Sequence, residues 1–203
     1  MLRASLACCL VALGAGLTLD LSASSAPQAP AAATGRADDA TIRPFRIQVP
    51  DAVLADLKAR LKNPRIPAPL DGPGWALGTD TAYLRELVTY WRDRFDWRAA
   101  ERRLNAMEQF TTTIDGRRVH FVHRKAKQPG AFPLLITHGW PGSFVEFLDV
   151  LGPLSDPAAH GGDPADAFHV VVPSMPGYGF SGPTTQPGFD VHRVADAVAD
   201  LMA

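Results

Sequence analysis

Two short apolar runs constrain the fold of this chain more than any other feature. Residues 132–137 (FPLLIT) run without interruption into His138-Gly139, and residues 168–173 (FHVVVP) run into Ser174. Continuous apolar stretches of strand length are expected where both faces of a sheet are covered, as in parallel sheets. Each run ends in a Gly/Pro-rich loop, and each loop precedes a helical pattern, over about 143–151 and from the cap Asp190 onward with Val191, Val194, Val198 and Leu201 inward. Upstream, residues 109–114 and 117–123 flank Asp115-Gly116, the signature of a tight hairpin turn. A hairpin followed by strand–helix–strand–helix predicts an α/β fold with a largely parallel sheet. As given, that sheet is small and incomplete, so a second chain completing it is one expectation.

Three helices are predicted before the hairpin. The first opens at Pro50-Asp51, carries Val53, Leu54, Leu57 and Leu61 on one face, and stops at Asn63-Pro64. The second starts at Thr79 or Asp80 and turns Tyr83, Leu84, Leu87, Val88 and Trp91 inward. The third covers about 97–107 with Trp97, Ala100, Leu104 and Met107 as its stripe. Between the first two, the Pro/Gly-rich stretch 67–78 reads as loop anchored by Trp75.

The N-terminus has a different character. Arg3 precedes an apolar stretch from Leu6 to Leu19, and small residues follow at 22–26. This is the pattern of a secretory signal peptide over residues 1–26, which implies a secreted or periplasmic protein, with an uncleaved anchor as the alternative. Both cysteines, Cys8 and Cys9, lie inside it. Residues 22–41 are mostly Ala, Pro, Ser, Gly and a few charges, and 27–41 read as linker. The ordered body is expected to divide into a helical unit over 42–110 and an α/β unit over 111–203. A formal net charge of −1 among 203 residues offers no basic surface for nucleic acid. No later run is long enough to span a bilayer, and the six histidines show no metal-ligand spacing, so no metal is expected.

The chemistry is expected at the two loops. In His138-Gly139-Trp140-Pro141-Gly142-Ser143, Gly139 permits a sharp turn, Pro141 rigidifies it, and backbone N–H groups are left facing the carboxyl end of the strand. Ligands of open α/β sheets bind at that end, and N–H donors there suit a developing oxyanion. The second loop contains G-x-G-x-x-G from Gly177 to Gly182, but Pro183, Pro187 and Gly188 intervene before any helix, which argues against a dinucleotide site. Pro176, Gly177 and Tyr178 are instead expected to wall the same pocket. Ser143 and Ser181 lack a G-x-S-x-G elbow. His120 and His123 read as surface or pairing positions on a strand.

These loops, in this order, resemble the α/β-hydrolases. Trp75-x-x-Gly78, Tyr83-Leu84, Tyr90-Trp91, Phe95-Asp96-Trp97-Arg98, Glu101, Leu104-Asn105, Gln109-Phe110, Ile114-Asp115-Gly116 and His120-Phe121, with Ile42-Arg43-Pro44-Phe45, narrow the resemblance to the microsomal and juvenile-hormone epoxide hydrolases. The resemblance implies cofactor-free hydrolysis of a small apolar epoxide to a diol. An aspartate forms a covalent ester, cap tyrosines protonate the leaving oxygen, and a histidine with a second carboxylate activates water. It also implies that Trp140 supplies an oxyanion-hole N–H, supported by His138, Gly139 and a cis Pro141. The nucleophile, base and cap tyrosines belong after residue 203 in that pattern, which implies a chain inactive on its own. A non-catalytic secreted binding module is the competing reading.

Overall fold

The computed structural model describes residues 40–68, 72 and 74–203. The expected signal peptide and nearly all of the expected linker lie outside the described residues. In chain order the elements are β1 (Arg43–Pro44), α1 (Asp51–Lys62), α2 (Thr81–Asp93), α3 (Trp97–Leu104), β2 (Gln109–Ile114), β3 (Arg117–Arg124), β4 (Phe132–Leu135), a 3₁₀ turn (Phe144–Phe147) running into α4 (Leu148–Ser155), β5 (Phe168–Pro173) and α5 (Val191–Met202).

The sheet has the order β1-β2-β3-β5-β4. Asp115 and Gly116 both take positive φ, 51° and 70°, which gives the β2–β3 hairpin its tight two-residue turn and pairs Ile114 with Arg117. Only β4 and β5 run parallel; β1–β2, β2–β3 and β3–β5 are antiparallel. The expected largely parallel sheet is therefore a mixed one. The helix pattern fixes a crossover only between β4 and β5, and the hairpin sets the direction of everything on the other side.

β5 is an interior strand, between β3 and β4, and its Val170, Val171, Val172 and Pro173 are all buried. Residues 132–137 fare differently from expectation. β4 lies at the sheet edge, Phe132 is exposed and Leu134 to Ile136 are half-buried. No described element pairs with its outer edge, so an apolar run of the same character stays partly open.

One core joins Ile47, Leu104, Val122, Phe144, Leu151, Val170 and Val172; a second, on the α5 side, joins Ile114, Val119 and Ala197. The expected boundary at 110/111 cuts β2, and β1 from the helical part pairs with β2. The helical part is thus tied into the sheet. Asp80, Asp96 and Asp190 cap α2, α3 and α5 through their carboxylates, as their residue type favours. α3 ends at Leu104, before the expected Met107. In α2 only Leu84 and Val88 of the expected inward set are half-buried. Tyr83, Leu87 and Trp91 remain exposed, although Tyr83 meets the Trp75 ring at 5.0 Å and Trp91 faces a cleft shared with α1. No helix among the described residues is long and apolar enough to cross a membrane.

Candidate active site

β4 and β5 end side by side, and the loops that leave their carboxyl ends, 136–143 and 174–182, meet over a cleft of ≈ 580 Å³. His138, Gly139, Trp140, Pro176 and Tyr178 line it from the loops, and Val194 and Val198 line it from α5. The wall is mainly apolar, which suits a small apolar ligand with a few fixed donors. Of the expected site residues, Pro141 and Gly177 do not line the cleft. Gly177 points its N–H to the Gly182 carbonyl at 3.0 Å and holds the second loop closed on itself. Its φ of +87° is one a residue with a Cβ adopts only with strain.

The first loop is pinned at both ends. The Gly142 N–H donates to the Gly139 carbonyl at 2.8 Å, closing a four-residue turn whose Trp140-Pro141 bond is cis. The backbone N–H of Ser143 donates to Glu146 Oε1 at 3.0 Å while the Ser143 hydroxyl accepts from Val145, so a capping box starts the helical segment immediately after the turn. A Cβ on residue 142 would collide with Glu146 Oε1 and stand 3.0 Å from the Gly139 carbonyl, which accounts for glycine there.

His138 is buried, and its two nitrogens have distinct partners. Nε2 accepts the Met175 N–H at 3.1 Å, so Nδ1 carries the proton and donates to the Gly139 carbonyl at 3.0 Å. The ring also meets Tyr178 edge-on at 5.3 Å. One imidazole therefore holds the two loops together. Trp140 is 82% exposed at the cleft mouth, and among the described residues its backbone N–H donates to no protein acceptor. This leaves a backbone donor free on the cleft rim.

His120, read from sequence as a surface or pairing position, is fully buried beneath these loops. Phe45, Phe144 and Phe180 surround its ring edge-on at 4.9–5.3 Å. Nε2 lies 3.0 Å from Gln109 Oε1 and Nδ1 lies 2.9 Å from Ser174 Oγ. Burial, helped by the Arg118 charge, pushes the imidazole down to about 4, so it is neutral at physiological pH. Alternation on β3 hid this role, because β3 is covered on both faces from Val119 to Val122. Ser174 and Ser181, rejected as nucleophiles or passed over, are its partners: Ser181 Oγ donates to the Ser174 carbonyl at 2.6 Å and accepts the His120 N–H at 2.9 Å. Among the described residues no group of three or more His, Cys, Asp or Glu side chains gathers as a metal site.

The sequence pattern of the family described as "Epoxide hydrolase N terminus" matches residues 42–147, just over half of the chain. This chain belongs to the epoxide hydrolase family. A relative from Stigmatella aurantiaca is 49% identical over 161 residues, a match covering 79% of this chain and 37% of that protein. Among solved structures, the epoxide hydrolase of Aspergillus niger superposes with a TM-score of 0.70 at 36% identity, covering 81% of this chain and 43% of that one. The juvenile hormone epoxide hydrolase of Bombyx mori gives 0.72 at 33% identity over 81% of this chain and 39% of its own. The mixed sheet of this family member is thus the N-terminal part of an α/β-hydrolase fold. The chain spans 37% of the length of the curated relative quoted.

Proposed function

We propose that this chain provides the oxyanion-holding lobe of an epoxide hydrolase that opens a small apolar epoxide to a vicinal diol through a covalent aspartyl ester. The observation that carries the reading is the free Trp140 N–H on the rim of an apolar cleft, held at the carboxyl ends of the parallel strand pair. In the proposed reaction an aspartate opens the epoxide and becomes an ester. Water then attacks the ester carbonyl, and negative charge gathers on its oxygen. A preorganised N–H on an apolar-walled cleft stabilises that charge more than the uncharged ester, which lowers the second barrier. His138 and Pro176 keep the donor and the wall in place. The attacking carboxylate, the base and the proton donors are not assigned to residues of this chain. In this reading residues 1–26 export the protein.

A graft tests the proposal. Residues 42–203 replace the matching segment of the Aspergillus niger enzyme, and the hybrid is assayed with styrene oxide beside the 203-residue chain alone. Diol formation by the hybrid and none by the chain supports the reading. A folded hybrid without activity contradicts it, and turnover by the chain alone contradicts the assignment of the nucleophile outside it.

A further inference from the structure

Two sets of hydrogen bonds, joined by the Ser174–Met175 peptide, connect the start of the hairpin to the Trp140 turn. Gln109 Nε2 donates to the Leu104 carbonyl at 2.8 Å, which orients the amide so that Oε1 faces His120. An oxygen that only accepts requires a proton on His120 Nε2, 3.0 Å away. With that proton placed, His120 Nδ1 is an acceptor, and the Ser174 hydroxyl at 2.9 Å must donate to it. Ser174 is fully buried and has no freedom left, since its N–H donates to the His120 carbonyl at 2.8 Å and its own carbonyl accepts from Ser181 Oγ at 2.6 Å. The next peptide presents the Met175 N–H to His138 Nε2 at 3.1 Å, and His138 Nδ1 in turn donates to Gly139. The two histidines thereby take opposite tautomers, each dictated by its neighbours.

We propose that His120 is the positioning residue of this site: through Ser174 it fixes the Met175 N–H on His138, and so fixes the turn that offers the Trp140 N–H to the cleft. The inference rests on reading that turn as the oxyanion holder. The relay passes through His120 Nδ1, whereas Nε2 serves only to anchor the ring. A general packing role for the aromatic cage would make no such distinction between the two nitrogens.

The test uses the full 203-residue chain with ¹⁵N-labelled histidine and reads the tautomers from two-bond nitrogen–proton couplings at neutral pH. His120 is expected as Nε2–H, and His138 as Nδ1–H by at least about tenfold, the bias that an ordinary hydrogen bond at each nitrogen sustains. Any other assignment in the wild type overturns the proposal without recourse to variants. His120→Asn places an acceptor near the Nδ1 position and is expected to keep the His138 bias. His120→Gln reaches only toward Gln109 and is expected to lose it. Ser174→Ala leaves the cage intact, removes the donor, and is expected to behave as His120→Gln. An unchanged His138 in Ser174→Ala, or equal effects of the two His120 variants, overturns the inference. Because the readout is hydrogen bonding and not turnover, an intact relay beside an inactive hybrid would count against the proposed function alone.

Discussion

Asn105 pairs with Ile47 in the manner of a neighbouring strand, its Oδ1 accepting the Ile47 N–H at 2.8 Å and its Nδ2 donating to the Ile47 carbonyl at 2.8 Å. One turn earlier on α3, Glu101 accepts the Val49 N–H at 2.7 Å, and Arg98 donates to the Val49 carbonyl at 2.8 Å. The side chains of one helix thus satisfy an extended segment that has no strand beside it, and they seat the buried Ile47 in the core. Asn105→Ala leaves both Ile47 backbone groups unpaired, and a loss of about 2 kcal/mol is expected in urea denaturation, from the cost of orphaned buried polar groups. Asn105→Asp keeps the acceptor but sets a carboxylate against the Ile47 carbonyl. It should not restore the wild-type midpoint.

Glu101 adds an acid dependence to this seam. Its bond from Val49, followed by the Arg98 hydrogen bond and charge, holds its carboxyl below the usual glutamate range against the opposing effect of burial. The unfolded chain takes up the proton first, near the ordinary value of about 4.3. The stabilisation is therefore complete above that pH and is lost as pH falls through the lower folded value. Urea midpoints at pH 6 and at lower pH should diverge more for the wild type than for Glu101→Gln, which lacks the ionisable group. Parallel midpoints for the two proteins would contradict this.

His120 acts over a higher window. Its folded value is about 4, and the unfolded imidazole titrates near 6.5. Between these values the unfolded state binds a proton that the folded state refuses, so stability declines as pH drops from about 6.5 to about 4, by roughly 3 kcal/mol at most. His120→Asn should remove this slope, as measured by the difference in unfolding free energy between variant and wild type across that range. A difference that does not vary with pH would mean that the imidazole is not held neutral.

Gly142→Ala tests the turn directly. The added Cβ meets the Glu146 carboxylate of the capping box and the Gly139 carbonyl. Displacing Glu146 costs about 1 kcal/mol, the usual worth of a helix cap. In the hybrid enzyme kcat is expected to fall further than that loss of stability explains, because the carbonyl at 3.0 Å belongs to the turn that carries the donor. Unaltered kcat in a destabilised variant would detach the turn from catalysis.

Most of the architecture could be read from residue patterns wherever a local rule applies. Asp115-Gly116 announced the hairpin, and the aspartates at 80 and 190 announced helix starts. The glycines and proline at 138–143 announced the sharp turn found there. Patterns failed where the answer lay in a distant partner. The apolar run at 132–137 predicted full coverage, which depends on a neighbour that no property of Leu134 or Leu135 specifies. β1 escaped notice because two residues carry no period. His120 was hidden for a related reason: a histidine on a strand looks solvent-facing until Gln109, Ser174 and three phenylalanines from separate elements close around it. The sequence signal available was the run of consecutive apolar and aromatic neighbours, Val119, Phe121 and Val122, which a half-exposed strand would not carry.

The role of the Trp140 N–H is open to a single-atom test. In the hybrid enzyme, the α-hydroxy analogue of tryptophan at position 140 replaces that N–H by an oxygen and retains the exposed indole, while Trp140→Phe retains the N–H and changes the indole. The ester variant is predicted to lose about 10²- to 10³-fold in kcat for styrene oxide, the usual consequence of deleting one oxyanion donor, with Trp140→Phe close to the parent. An ester variant that turns over at the parental rate would contradict the account.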